Sequence, residues 1–510
     1  MEETLWDSAN KLRGTVESSE YKHVVLALIF LKFASDKFEA RREELRAEGR
    51  EKFLEQVAFY TMKNVFYLPE ESRWTYIMEQ AKQDDISIKI DTALYTIEKN
   101  NKALAGALPN NYFSRLNMDV SKLSSLLDTI NNIDTQKDES EDIVGRIYEY
   151  FLAKFALKEG KGKGEFYTPK SIVNLIAALI EPYKGKIYDP CCGSGGMFVQ
   201  SLKFIENHQG DKKDVSIYGQ EYTSTTYKLA KMNLAIRGIS ANLGAVAADT
   251  FGRDQHPDLK ADYIMANPPF NQKDWRAANE LTDDPRWKGY DVPSTSNANY
   301  GWILNMVSKL SEHGVAGFVL ANGALSGSGD EYKIRKKLIE NKLVEAIIIL
   351  PQNMFYTTNI SVTLWIINKN KKVQTRRIGD EKRNYRDRSD EVLFMDLRQI
   401  GIPFEKKYIQ FSDEQVKQIT GTYHQWQQVD GNYADTPEYT YSATIEEIAA
   451  KDYSLVPSKY IEFINRDEQI DFGTKMATLQ SEIGDLLQQE AESKKDLLKV
   501  FKELGYEIKL

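Results

Sequence analysis

The middle of this 510-residue chain is a series of short apolar runs separated by helix-patterned stretches. The runs are Lys186–Asp189, Val215–Gln220, Asp262–Ala266, Val315–Ala321, Leu343–Leu350 and Val362–Asn368. Between them, Thr223–Arg237, Trp302–Leu310 and Glu331–Asn341 carry helical periodicity. Strands alternating with helices of this length predict a mostly parallel, doubly wound α/β sheet. Ligands of such sheets sit at the carboxyl ends of the strands. One run stops abruptly in "IMANPPFNQ", Ile264 to Gln272. Neither Pro268 nor Pro269 has an N–H to donate, so the ladder must end there in a stiff loop.

The flanks read differently. Residues 1–155 form an expected N-terminal all-helical domain. Leu5, Ala9, Leu12 and Val16 recur at helical spacing, and Val24–Phe33 is apolar nearly all round, as in a buried helix. Ile143, Ile147, Phe151 and Phe155 form a further stripe. The Gly- and Lys-rich stretch "KEGKGKGEFYTPK", Lys158–Lys170, reads as a loop and opens the α/β region, 156–460. Within that region the charged segment Lys371–Asp390 reads as a solvated hairpin tip, or alternatively as an arm facing a polyanion, and Gly421–Ser442 as a connecting segment. Residues 461–510 form a helical tail. Its Met476, Leu479, Ile483, Leu486, Leu497, Phe501 and Leu504 approximate a coiled-coil seam, open to packing on its own domain or on a partner helix.

Composition narrows the function. A net charge of −8 argues against a surface that tracks phosphates throughout, while leaving room for a local basic channel. The longest apolar run, Val24–Leu31, is too short to span a bilayer, and no signal-peptide pattern follows Met1, so a cytoplasmic chain without a membrane partner is expected. The two cysteines, Cys191 and Cys192, are neighbours and make poor disulfide partners, which fits a reducing compartment. Five scattered histidines and no CxxC predict no bound metal.

Four strand ends carry the polar residues. The first run ends in "YDPCCGSGGMF", Tyr188–Phe198, where Asp189 is followed by Gly193, Ser194, Gly195 and Gly196. The glycines let a backbone approach a ligand and accept positive φ. The spacing matches neither the dinucleotide fingerprint nor a P-loop. The second run puts Glu221 at its tip, where nucleotide-binding sheets grip a ribose diol. Asp249 follows a short apolar stretch, and Asn267-Pro268-Pro269-Phe270 closes the next strand. Any one of these is an ordinary loop residue; four in chain order, each expected to close a successive βα unit, point to one site.

Together, Asp189-Pro190-Cys191-Cys192-Gly193-Ser194-Gly195-Gly196 and Asn267-Pro268-Pro269-Phe270 resemble the motifs of S-adenosylmethionine-dependent amino-methyltransferases of DNA. More closely, the chain resembles the modification subunit of type I restriction-modification systems. "GEFYTPK" (Gly164–Lys170) and "LPQNMFYTTNISVTLWIINK" (Leu350–Lys369) match that family's cofactor and late catalytic segments, and the similarity spans all three regions. It implies a Rossmann-like doubly wound methyltransferase sheet, with 156–460 as the S-adenosyl-L-methionine-dependent domain. It also implies that Glu165, Phe166, Tyr167, Thr168, Pro169 and Lys170 close over the methionine end of the cofactor. Asp189, Ser194, Gly195 and Gly196 line it, Glu221 holds its ribose, and Asp249 lies near its adenine or amino group. The implied partners are DNA, a specificity subunit, a second copy of the chain and a restriction-translocase subunit. Cys191 and Cys192 depart from the smallest residues such a loop carries, and their side chains are expected to point into the sheet.

The resemblance explains the double proline. The N6 amine of adenine is a poor nucleophile because its lone pair is delocalised into the ring. The Asn267 side-chain oxygen and the Pro268 carbonyl would both accept from that NH₂, and Phe270 would stack on the base once it leaves the duplex. Positioning and preorganised acceptors then carry an in-line transfer with no covalent intermediate. Phe355 and Tyr356 are implied as a second aromatic wall. Trp275, Trp287, Lys288 and Tyr290 belong to a loop that either covers the base or is ordered by its own aromatics. Alternative readings are methylation of RNA or of a protein glutamine, and a cofactor-binding scaffold that has lost catalysis.

Overall fold

Residues 18–116, 118–133, 150–151, 168–208, 210–355, 358–378, 381–404, 407–464 and 471–503 are described by a computed structural model of the chain. The first long helix, α1 (Ser18–Ala47), carries the all-round apolar stretch, and Val24–Leu31 is buried as the pattern predicts. Helices α2 (Ile86–Asn100) and α3 (Val120–Asn131) pack around it through Ile90, Leu94, Ile97, Leu123, Leu127 and Ile130. Asp119 caps α3 by accepting from the Lys122 N–H at 3.1 Å. This core also takes in Leu229, Met232 and Ile236 from the next region, so the helical flank packs directly on the catalytic sheet's outer layer.

The expected strands all form, most within a residue of their predicted bounds. Helix α4 (Lys170–Ile180) leads into β1 (Gly185–Asp189), followed by α5 (Gly196–Asn207), β2 (Val215–Gly219), α6 (Ser224–Ile236), β3 (Ala241–Asn242) and β4 (Ala261–Ala266). Then come α7 (Asn299–Lys309), β5 (Leu310–Ala321), α8 (Asp330–Glu340), β6 (Val344–Ile349), β7 (Val362–Asn368), β8 (Gln374–Ile378), β9 (Glu381–Tyr385), β10 (Glu391–Asp396), β11 (Ile402–Phe404), β12 (Tyr408–Gln410), α9 (Asp413–Gln427) and β13 (Thr440–Thr444). Nine strands share one sheet in the order β3-β2-β1-β4-β5-β7-β6-β10-β13; β7 and β13 run antiparallel and the rest parallel. The chain order reverses between β1 and β4, which defines the switch point where such sheets bind ligands. Both faces are covered: Met265 enters one core with Phe198 and Leu364, while Ile264 and Ala266 enter the other with Phe318 and Trp365.

Two expectations for this region are refined by the structure. The Lys371–Asp390 insertion is a hairpin, β8–β9, solvated along its outer face as expected but anchored along its inner one. Lys371 and Arg388 are buried, Arg376 donates to the Tyr263 hydroxyl at 2.9 Å, and Arg383 pairs with Glu181 at 2.8 Å. Their long alkyl stems cover the sheet while the cations find fixed acceptors. Gly421–Ser442 is not a plain connector, because Gly421–Gln427 completes α9. That helix starts in a capping box at Ser412 and Gln415 and buries Ile419, Tyr423 and Trp426, a helical stripe obscured by the polar residues between.

The backbone divides into two compact units, Met1–Ile461 and Glu462–Leu510. In the second, α10 (Phe472–Glu503) leaves Phe472, Met476, Leu479, Ile483, Leu486 and Leu497 exposed. Leu504 of the expected seam lies outside the described residues. No helix among the described residues is long and apolar enough to cross a membrane.

Candidate active site

The site is built on the loops that leave β1, β2 and β4. Asp189, 1% exposed, ends β1 and accepts from the Cys191 N–H at 3.0 Å. Gly193 and Gly195 both hold positive φ, +54° and +80°. An added Cβ on Gly195 would meet Leu234 at 3.3 Å, so this glycine serves the turn's own packing. At Gly193 and Gly196 it would meet nothing within 4 Å: they face open space. The Asn233 side-chain amide holds the Ser194 carbonyl at 2.7 Å and steadies the turn.

The β2 loop is laced to this turn. The Cys192 N–H bonds to the Gln220 carbonyl at 2.9 Å, and the Gly193 N–H to Glu221 Oε2 at 3.1 Å. Glu221 Oε1 accepts from the Thr223 N–H at 2.8 Å. Gln220, fully buried, donates to the carbonyls of Ala248 and Arg253 at 3.2 and 2.8 Å and accepts from the Gln255 N–H at 3.1 Å. Sequence reasoning passed over this hub, although a glutamine closing an apolar strand is a signal for one. It also passed over Tyr222, whose ring is 74% exposed beside Glu221.

Asp249 lies on a turn beside the site. Its neighbours are tied to the site, Ala248 N–H to the Glu221 carbonyl at 2.9 Å and the Thr250 hydroxyl to the Pro190 carbonyl at 2.5 Å. Its carboxylate, however, closes its own turn, accepting from Phe251 and Gly252 N–H groups at 3.2 and 2.9 Å. Residues 243–260 contain no helix, so Asp249 does not close a βα unit.

Burial pushes the Asp189 carboxyl up to about 7, helped by the charge of Glu221 and opposed by the Cys191 N–H. Burial likewise holds both thiols well above their ordinary range, with Asp189 and Glu221 adding to the effect. Cys192 is buried in one core and Cys191 packs part-buried against the other, consistent with the expected inward orientation. A neutral thiol is no nucleophile.

At the end of β4, next to β1, Asn267 is 8% exposed. Its Nδ2 donates to Thr168 Oγ1 at 2.9 Å. Its Oδ1 is buried and has no hydrogen-bond partner among the described residues. Half-buried Phe270 meets Phe355 edge-to-face, centroids 5.9 Å apart at 77°. Phe355 is itself 1% exposed, so it props Phe270 rather than offering a second wall; Tyr356, like Glu165, Phe166 and Tyr167, lies outside the described residues. Pro169 is buried as the N-cap of α4, and exposed Lys170 lines a groove of about 1310 Å³ between α4, α5 and α9.

The polar loop after Phe270 is ordered by its own aromatics. Trp275 and Trp302 each lie 4.3 Å from Phe251 between ring centroids, and Trp287 closes the cluster. Buried Arg286 donates to the Thr250 and Phe251 carbonyls, both at 2.7 Å, and pins the loop to the Asp249 turn. Asn271, at φ +52°, is clamped by Asn299: its N–H donates to Asn299 Oδ1 at 3.0 Å, and Asn299 Nδ2 returns a bond at 2.9 Å. Sequence reasoning passed over Asn299, which carried no signal beyond its place at a helix start.

A sheet with this order and an antiparallel β7, ending β4 in Asn-Pro-Pro-Phe, defines an α/β amino-methyltransferase. The N-6 DNA Methylase family profile matches residues 139–469, and that of the HsdM N-terminal domain matches residues 1–132. Over 461 residues the chain is 39% identical to the Type I restriction enzyme HindI methylase subunit of Haemophilus influenzae, covering 86% of this chain and 100% of that one. It is 36% identical to the MjaIX methylase subunit of Methanocaldococcus jannaschii, over 99% of this chain and 91% of the other. The fold is shared with the type I restriction-modification methyltransferase subunit of Streptococcus thermophilus at a TM-score of 0.74 and 23% identity, over 90% of this chain and 99% of that one. The chain belongs to the N-6 DNA methylase family, in its branch of type I modification subunits. Its reaction is methyl transfer to N6 of adenine in DNA, and membership in a methyltransferase family implies use of S-adenosylmethionine.

Proposed function

We propose that Asn267 Oδ1 and the Pro268 carbonyl are the acceptors that activate the adenine amine, at the mouth of a cofactor site formed by the β1 and β2 loops. One observation carries this reading: Asn267 Oδ1 is a buried acceptor without a partner among the described residues, at the strand end beside the switch point. A buried acceptor left unmade costs about 1–3 kcal/mol, which an incoming N–H donor repays. The loop chemistry fits S-adenosylmethionine. Gly193 and Gly196 leave a space that a Cβ would fill, Glu221 offers carboxylate oxygens to a diol, and Asp189 offers a desolvated carboxyl to a cation. Bound there, the cofactor supplies a methyl group on a positively charged sulfur.

The chain's own residues do the rest. Asn267 and Pro268 draw the amine hydrogens aside and expose the nitrogen lone pair. Phe270, propped by Phe355, stacks on the extruded base, worth roughly 1–3 kcal/mol against an unstacking cost of a few. Ser194, Gly195, Tyr222 and Asp249 complete the cofactor wall. Sequence readout comes from a specificity subunit, for which the exposed apolar seam of α10 is the packing surface; a second copy of this chain and a restriction subunit complete the assembly. Residues 1–155, 156–460 and 461–510 act as the helical, catalytic and partner-packing regions.

The test is base-resolution mapping of methylated adenine in DNA treated with the chain, with and without its specificity subunit. Wild type should methylate specific sites only with the subunit present. Asn267→Ala should lose turnover by about 100–1000-fold, as expected for one preorganised group, while binding S-adenosylmethionine normally. Near-normal turnover in Asn267→Ala would reject the assignment.

A further inference from the structure

The hydrogen bond between Asn267 and Thr168 joins residues 99 apart in sequence. A carboxamide has one acceptor end and one donor end, and an amine substrate can be activated only by the acceptor. Turning Oδ1 toward the amine turns Nδ2 away from it. At 8% exposure, Nδ2 would then be a buried donor with no water to satisfy it, unless the fold supplies an acceptor. Thr168 Oγ1, at 2.9 Å, is that acceptor.

Thr168 is well placed to hold this position. The next residue, buried Pro169, is the N-cap of α4, with φ at −57°. Helix α4 is seated on the sheet through Ile172, Ile176 and Ile180. A Cβ at Gly317 in β5 would meet Ile176 at 2.8 Å and Ile180 at 3.2 Å, so helix and sheet meet at the closest approach a strand allows. The hydroxyl therefore stands immediately before a rigid element.

We propose that Thr168 is a positioning residue for amine activation: its hydroxyl holds the Asn267 carboxamide with Oδ1 facing the base. The inference rests on the proposed role of Asn267. It assigns Thr168 a role in kcat, beyond the part in cofactor binding that family resemblance implies.

The test uses the chain reconstituted with its specificity subunit on duplex DNA carrying the methylation site. Thr168→Val, Thr168→Ala, Thr168→Ser and Asn267→Ala are compared in kcat, KM for S-adenosylmethionine and equilibrium cofactor binding. Thr168→Val and Thr168→Ala should lose about ten- to a hundredfold in kcat at saturating cofactor, a loss that any weakening of cofactor binding does not account for. Thr168→Ser, which keeps the hydroxyl, should recover most of the rate. If the valine variant melts below the assay temperature, the alanine–serine pair, differing in the hydroxyl alone, decides. Unchanged kcat in the hydroxyl-free variants, a loss of cofactor affinity that accounts for the whole effect, or a serine variant as slow as alanine would overturn the proposal. Near-normal turnover in Asn267→Ala would defeat the underlying reading instead, whereas an inactive Asn267→Ala beside a fully active Thr168→Val would defeat this inference alone.

Discussion

Replacing Gly196 with alanine should stabilise the protein and weaken its cofactor binding together. Gly196 is the first residue of α5, it does not require positive φ, and a methyl there meets no protein atom within 4 Å. Folding gains from removing a flexible glycine from a helix, about 0.5–1 kcal/mol. The unit Met1–Ile461 should unfold with an entropy near 1 kcal/mol per kelvin, from ~2.1 cal/mol/K per residue, so the melting temperature rises by about 0.5–1 °C. The same methyl occupies the space proposed for the cofactor. Crowding of that kind costs about 1–3 kcal/mol, or roughly 5–150-fold in affinity. At a ligand concentration of 100 times the wild-type Kd, bound cofactor stabilises wild type by about 2.7 kcal/mol, a shift of about 3 °C. A variant bound a hundredfold more weakly would shift by under about 0.5 °C at that concentration. Paired thermal melts with and without S-adenosylmethionine, backed by titration calorimetry, read both effects. An alanine variant that binds the cofactor as tightly as wild type would refute the claim that this turn approaches it.

Two further outcomes follow from buried charge. Glu345 and Arg388 form an ion pair at 2.9 Å with both side chains fully buried, and Glu345 also accepts from Asn368, Tyr423 and Gln427. Arg388→Met should cost about 3–5 kcal/mol, or roughly 3–5 °C by the same conversion, and Arg388→Met with Glu345→Gln should recover part of it, as thermal melts will show. Burial pushes the Glu345 carboxyl up, but Arg388, Asn368 and Lys371 outweigh it and hold it below the usual range. The pair's stabilisation is therefore present above the ordinary carboxylate range and lost as pH falls through the lowered value, a slope that Glu345→Gln should remove. Asp189 works in the opposite sense. Its carboxyl is raised from 3.8 to about 7, so the ligand-free protein should lose stability as pH rises across that window. The melting-temperature difference between Asp189→Asn and wild type should grow from pH 5 to pH 7.5.

Local pattern made most of the sheet legible. Short continuous apolar, β-branched runs placed the strands, and the prolines after Asn267 marked a strand end by chemistry alone. The misreadings share a cause, because side chains that look solvated in sequence proved to be covered. Arg376, Arg383 and Arg388 read as a charged surface until Tyr263, Glu181 and Glu345 were found opposite them. That Asp249 also closes its own turn could not be read locally, because the Phe251 and Gly252 N–H groups meet its carboxylate only in the folded chain.

By itself, the order of residues determined the class of sheet and the strand ends that bear the candidate site. Those follow from covalent limits, such as a proline's missing N–H, and from periodicities that any folded chain must obey. Only the tertiary structure decided which polar atoms are already satisfied. It closed the Asp249 turn, buried Phe355 behind Phe270, made Gln220 a hub and gave Thr168 to Asn267 while leaving that amide's oxygen without a partner among the described residues. Hydrogen bonding is a matter of distance and direction between groups far apart in the chain, and no local pattern records where a partner will stand.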